Sequence, residues 1–174
     1  TTTGDFSTDY LMGKSNPRNH PDFTRIAPKY ASNGGMLMRK DAYDSFIKMH
    51  DAAKKDGVKL RIISAVRPFV HQKRIWEAKW TGKRKVDGKL LDKEVKDPKA
   101  RAIQILRWSS MPSTSRHHWG TDLDVYDRAT IDESYQLQLS PDEYHKDGPF
   151  YNLSQWLNNN AHKFGFYLPY SKDG

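Results

Sequence analysis

Between residues 38 and 55 the apolar side chains Tyr43, Phe46, Ile47 and Ala53 recur near helical spacing, and Gly57 follows where a helix would stop. The pattern predicts a helix over 38–55, with His50 in a surface or structural place. Over 58–65 it changes: Leu60, Ile62 and Ile63 lie in a short apolar run that predicts a strand, and Pro68 ends it and can open the next helix. That helix is predicted over 69–80, with Val70, Arg74, Ile75 and Ala78 along the stripe that mixes burial with charge. Trp76 and Trp80, one turn apart, are expected in the core rather than as a platform for sugar rings. Residues 81–96 form a polar linker with a tight turn expected at Asp87-Gly88. Asp97-Pro98 is an N-cap followed by proline at the first helical position, opening a helix whose apolar face is Ala102, Ile103 and Leu106. Ser113 lies in the following loop of small polar residues, where glycine would be easier.

Residues 122–126 alternate polar and apolar, predicting a half-buried strand with Asp122 and Asp124 on one face and Leu123 and Val125 on the other. The polar stretch up to Gly148 carries no usable motif, and Glu143 and His145 are expected to be exposed. Leu153, Trp156, Leu157, Ala161 and Phe164 predict a helix over 149–164. Gly165 ends it, a short strand is expected at 166–168, and His162 is expected to be exposed. Residues 1–37 are rich in Thr, Asn, Pro and Gly. They are expected to form an extended arm with turns at Asn16-Pro17, His20-Pro21 and Asn33-Gly34-Gly35, anchored by Tyr10, Leu11, Phe23 and Ile26, with His20 on the surface.

A length of 174 residues is expected to give one domain. The absence of Cys excludes disulfides, thiolate ligands and a thiol nucleophile. No apolar run is long enough to cross a membrane, and residues 1–5 carry no secretory signal, so the chain is expected either to be cytosolic or to have lost its signal already. The net charge of +8 is uneven: residues 54–107 hold 17 Lys or Arg against 6 Asp or Glu. Such a region suits a polyanion, either nucleic acid or an anionic wall polymer. No helix interleaves aromatics along a basic stripe, so nucleic acid is not expected as a partner.

The stretch Ser115-Arg116-His117-His118-Trp119-Gly120-Thr121-Asp122-Leu123-Asp124 carries the candidate chemistry. Imidazole nitrogen and carboxylate oxygen suit Zn²⁺, and Gly120 lets the backbone bend between His117 and Asp124. Ser115, His117, Gly120 and Asp124 match a Ser-x-His-x-x-Gly-x-Ala-x-Asp motif, and upstream stand Arg67 and Gln72. On these residues the chain resembles the VanY-type zinc D-alanyl-D-alanine carboxypeptidases from about residue 38 to residue 170.

The resemblance implies an α+β fold of the Hedgehog/DD-peptidase group, with a small, mostly antiparallel sheet flanked by helices. It implies zinc-dependent hydrolysis of peptidoglycan stem peptides, most simply removal of terminal D-alanine, by a monomer in the bacterial periplasm or cell envelope. The alternatives are an L,D-endopeptidase of the same family and an inactive wall-binding module. By resemblance His117 and Asp124 hold the metal, Arg67 is catalytic, and Gln72, Ser115 and Ser64 bind substrate. The family takes its third ligand and its general base from a Glu-x-x-His type segment. Glu77, Glu94, Glu133 and Glu143 are the only Glu and none precedes such a His, so that segment is expected beyond residue 174. A chain that has lost catalysis, or one in which His118 or His162 takes the place of the third ligand, is also compatible with the sequence. Asp122 stands where the pattern has Ala; it is expected to pair with Arg116 or Arg67 or to support a ligand from behind.

Overall fold

A computed structural model of the chain describes residues 7–169. In chain order these form α1 (Thr8–Leu11), β1 (Phe23–Arg25), β2 (Leu37–Arg39), α2 (Lys40–Lys55), β3 (Leu60–Ser64), α3 (Phe69–Trp80), α4 (Leu91–Glu94), α5 (Pro98–Leu106), β4 (Asp124–Asp127), α6 (Pro141–Tyr144) and α7 (Tyr151–Asn160). The strands pair two by two, β1 with β2 and β3 with β4, among a majority of helices, which is the expected α+β class. The chain divides into two compact units, Thr1–Phe23 with Val66–Asp122, and Thr24–Ala65 with Leu123–Gly174.

In the second unit the hydrophobic pattern translates directly into packing. Phe46, Met49 and Ala53 fall on one face of α2 and are buried; Leu60 and Ile62 alternate inward from β3; Leu153, Trp156 and Leu157 close the core from α7. Burying one such large side chain contributes about 1.5–3 kcal/mol, so this face selects the helix over any competing local structure. β4 pairs antiparallel with β3, Ile62 opposite Val125 and Ser64 opposite Asp124, with an irregularity between those two pairs. Two expectations fail here. Residues 166–168 are not a strand, and Tyr167 is 77% exposed. Glu143 is buried: it accepts from Tyr135 Oη (2.9 Å), Gln138 N (3.1 Å) and Ser140 N (3.0 Å), closing the capping box that starts α6. A carboxylate with that many donors can leave solvent without an unpaired charge.

The first unit is built on less apolar material. Its small core is Val86, Leu91 and Ile105, with Trp76, Trp80 and Val95 packed against it, so both tryptophans take the core role. Asp97 caps α5 by accepting from Ala100 N at 2.7 Å. Asp87 and Gly88 adopt positive φ in the turn joining Val86 to Lys89, as expected for that pair. The predicted faces of both helices are wrong. Val70 is 57% exposed, and the buried positions of α3 are Gln72 and Lys79, two turns apart. On α5 the buried residue is Ile105, whereas Ile103 and Leu106 face out. A hydrophobic pattern cannot register an inward face made of polar groups whose hydrogen bonds are satisfied. Here Lys79 Nζ donates to Ser109 Oγ (2.7 Å) and Gln72 Nε2 to the Ser110 carbonyl (2.6 Å). The N-terminal residues are not simply extended: α1 and the turns after it bury Tyr10, although Leu11 is exposed.

Candidate functional site

Pro68, with extended backbone, precedes the first residue of α3. The residue before a proline is pushed out of helical conformation, so Arg67 ends the incoming chain and its side chain is carried at the mouth of the helix. Its guanidinium Nη1 donates to Gln72 Oε1 at 3.0 Å. Gln72 is fully buried and engaged at both ends, since its Nε2 donates to the Ser110 carbonyl.

The segment 115–120 is a 3₁₀ turn, Arg116–Trp119, ended by Gly120 in the left-handed region (φ 70°). Gly120 therefore makes the bend foreseen for it. The turn is joined to the start of α3 by two hydrogen bonds: Arg67 N–H donates to the His117 carbonyl (2.9 Å), and His118 Nδ1 meets the Arg67 carbonyl (2.6 Å). His118 Nε2 accepts from Ser113 N–H at 3.1 Å. Carbonyl on one side and N–H on the other require the neutral imidazole protonated at Nδ1. Burial pushes His118 below the usual histidine value in agreement, opposed by the bond to the Arg67 carbonyl and reinforced by the Arg67 and His117 charges. Ser113 has φ 77°, the conformation in which glycine is easier. Sequence reasoning missed the part played by His118, because an isolated buried imidazole leaves no periodic signal.

His117 is mostly enclosed, with 13% of its side chain exposed, and its Nε2 stands 3.6 Å from Asp122 Oδ2. Asp122 Oδ1 stands 3.5 Å from Arg116 Nε, so the expected pairing with Arg116 is present. Asp122 lies just outside β4, which begins at Asp124; the expectation that both carboxylates share one strand face is corrected. Ser115 is 3% exposed and its carbonyl accepts from His118 N at 3.0 Å. These residues belong to the first unit. Ser64 and Asp124 belong to the second, opposite one another in the β3–β4 pair and half-buried. Burial, then the charges of Glu143 and Asp124, drives the neighbouring Tyr144 hydroxyl above its usual range, so it stays protonated and donates to the Val125 carbonyl (2.8 Å).

The donor types fit zinc. Imidazole and carboxylate are ligand types that bind zinc; the 3.6 Å between His117 and Asp122 is that of an ion pair. Among the described residues no group of three or more His, Asp or Glu gathers to complete a set.

The family model described as VanY, D-alanyl-D-alanine carboxypeptidase, matches residues 35–174. An uncharacterized protein of Haemophilus influenzae is 45% identical over 58 residues, 33% of this chain and 44% of its own length. YodJ of Bacillus subtilis, a candidate carboxypeptidase, is 30% identical over 138 residues, 78% of this chain and 40% of YodJ. The chain thus spans less than half of either relative. Among solved structures, the LdcB LD-carboxypeptidase is similar at TM-score 0.60 and 23% identity, covering 92% of this chain and 63% of that one. The vancomycin-resistance D,D-pentapeptidase VanY, solved in complex with Zn(II), is similar at TM-score 0.57 and 23% identity, covering 86% and 68%. At such identity the structural likeness speaks for the fold, which is that of the Hedgehog/DD-peptidase group. With its α+β fold and a family match running over most of its length, the chain belongs to the VanY D-alanyl-D-alanine carboxypeptidase family.

Proposed function

We propose that this chain is a zinc-dependent peptidase of peptidoglycan stem peptides, acting in the bacterial periplasm or cell envelope to remove the terminal D-alanine. The observation that carries the reading is the hydrogen bond from Arg67 N–H to the His117 carbonyl, 2.9 Å. It ties a guanidinium-bearing residue to an imidazole-bearing one in a chain of this family.

His117 and Asp124 are assigned to hold the ion. Zinc, when bound, lowers the pKa of its water to about 7 and polarises a carbonyl. The protein's own residues supply orientation and charge. Arg67 presents a planar, permanently charged fork to a substrate carboxylate, or to the carbonyl oxygen that gains charge during hydrolysis. Gln72, which the family resemblance implies binds substrate, has both ends of its amide engaged, and we assign it to holding Arg67 in place. Ser64, half-buried at the end of β3, keeps its assignment to substrate. Ser115 supports the turn through its carbonyl.

The test is release of D-alanine from a muramyl pentapeptide by the zinc-loaded full chain. Release that is lost, together with bound zinc, in His117→Ala and in Asp124→Ala supports the assignment. Cleavage inside the stem instead would indicate an endopeptidase. Wall binding with no cleavage by a protein carrying stoichiometric zinc would refute the peptidase reading.

A further inference from the structure

We infer that Gly13 and His118 act together as a positioning device for Arg67 and His117, so that the N-terminal segment is part of the site. The inference rests on the proposed peptidase reading for its kinetic consequence, although the device itself is a matter of geometry.

His118 is 3% exposed, and both ring nitrogens are committed, Nδ1 to the Arg67 carbonyl and Nε2 to Ser113 N–H. The ring therefore spans three pieces of chain: the approach to α3, the loop at Ser113 and its own turn, which carries His117. Ser113 holds an unfavourable positive φ, and its N–H finds its acceptor on this ring. Gly13 closes the other side. It has φ +72°, and a Cβ built there would collide with His118 Nδ1 and stand 2.5 Å from Cγ. The carbonyl of Gly13 accepts from Phe69 N–H at 2.8 Å, two residues past Arg67. The glycine thus touches the ring and anchors the first residue of α3 at once. No side chain fits between them without moving the imidazole off one of its two partners. Such a displacement would shift the Arg67 backbone and the turn holding His117, and changing a group that orients a metal-binding residue typically loses 10–100-fold in affinity or activity.

Gly35 provides a matched control: it too has positive φ (+80°), but a Cβ there meets nothing within 4 Å. Gly35→Ala therefore introduces the backbone strain of Gly13→Ala without the contact. Three measurements are made on the full chain. Histidine ¹⁵N NMR of the metal-free protein reads the exchange-protected Nδ1–H of His118, identified by its loss in His118→Ala. Steady-state D-alanine release and zinc content are then measured for Gly13→Ala, His118→Ala, His118→Asn and Gly35→Ala. The Nδ1–H signal should survive in Gly35→Ala and be lost in Gly13→Ala. Turnover number should fall about 10–100-fold in Gly13→Ala and His118→Ala, with KM changed less than about twofold. His118→Asn, whose amide can still donate to the Arg67 carbonyl, should recover part of the loss. Persistence of the signal in Gly13→Ala, or parental turnover in His118→Ala, would overturn the inference. An inert parent protein would sink the peptidase reading instead, leaving the NMR comparison to decide the device.

Discussion

Arg67 and Gln72, five residues apart across the start of α3, are joined by a 3.0 Å hydrogen bond from the guanidinium to a side-chain amide that is completely buried. The charged group is thereby held by a helix rather than by a loop, and the same amide reaches on to Ser110. A guanidinium so braced loses less entropy when it meets an anion than a free surface arginine would.

Replacing Gln72 by Ala should leave the Ser110 carbonyl and one arginine donor without their partner. A buried polar group left unsatisfied costs about 1–3 kcal/mol, so the urea midpoint should fall accordingly. Gln72→Glu should do at least as badly, because it sets a carboxylate oxygen against the Ser110 carbonyl.

Arg67→Ala should retain zinc and lose turnover. Removing one donor to a developing oxyanion typically loses about 10²–10³ in rate. Arg67→Lys keeps the charge but not the fork, and should recover only a small part of the loss. Metal content and D-alanine release on the same preparations check both; turnover by Arg67→Ala equal to the parent's would remove the assigned role.

Lys79 offers a pH test. Burial, aided by the Arg84 and Arg67 charges and opposed by Asp87, lowers its pKa from 10.5 to about 8. Unfolded, the same lysine keeps its proton up to about 10.5. Between pH 8 and 10.5 the unfolded chain therefore binds more protons, and stability from this group rises with pH. The contribution is complete above the unfolded value and is lost as pH falls through the folded one. Lys79→Met should abolish that slope, a difference of up to about 3 kcal/mol across the window, read as urea midpoints of parent and variant at both ends.

Asp122→Ala separates two roles. As an ion pair with Arg116, which is 59% exposed, it contributes less than about 1 kcal/mol, so the thermal midpoint should barely move. As a group that orients His117, its loss should weaken zinc binding about 10–100-fold, which a competitive chelator titration measures. Unchanged zinc affinity would leave only the ion pair.

Glu143→Ala should be among the most damaging changes outside the site. Three donors lose their acceptor within a buried capping box, for an expected loss of about 2–3 kcal/mol. Thermal denaturation followed by circular dichroism reads this directly.

How much could be known beforehand differs between the two units. Residues 40–55, 60–64 and 151–160 bury large apolar side chains at regular spacing, so their periodicity marked these elements, expected over 38–55, 58–65 and 149–164, although residues 38 and 39 belong to β2 and 161–164 form a 3₁₀ turn. Gly120, Asp97-Pro98 and Asp87-Gly88 were legible too, because their backbone requirements are local. The residues of the candidate site were visible as types and spacings in one short motif with an arginine upstream.

Only the tertiary structure showed that Gln72 and Lys79 form the inward face of α3, that Glu143 is buried, and that His118 joins the turn carrying His117 to Arg67. In each case a polar side chain is stabilised inside by partners that local patterning does not identify: Ser110 lies 38 residues from Gln72, Ser109 lies 30 from Lys79, and Arg67 lies 51 from His118. Apolar burial is additive and non-directional, so a one-dimensional pattern records it. A satisfied hydrogen bond exists only when two distant groups arrive in the right geometry, and folding alone decides that.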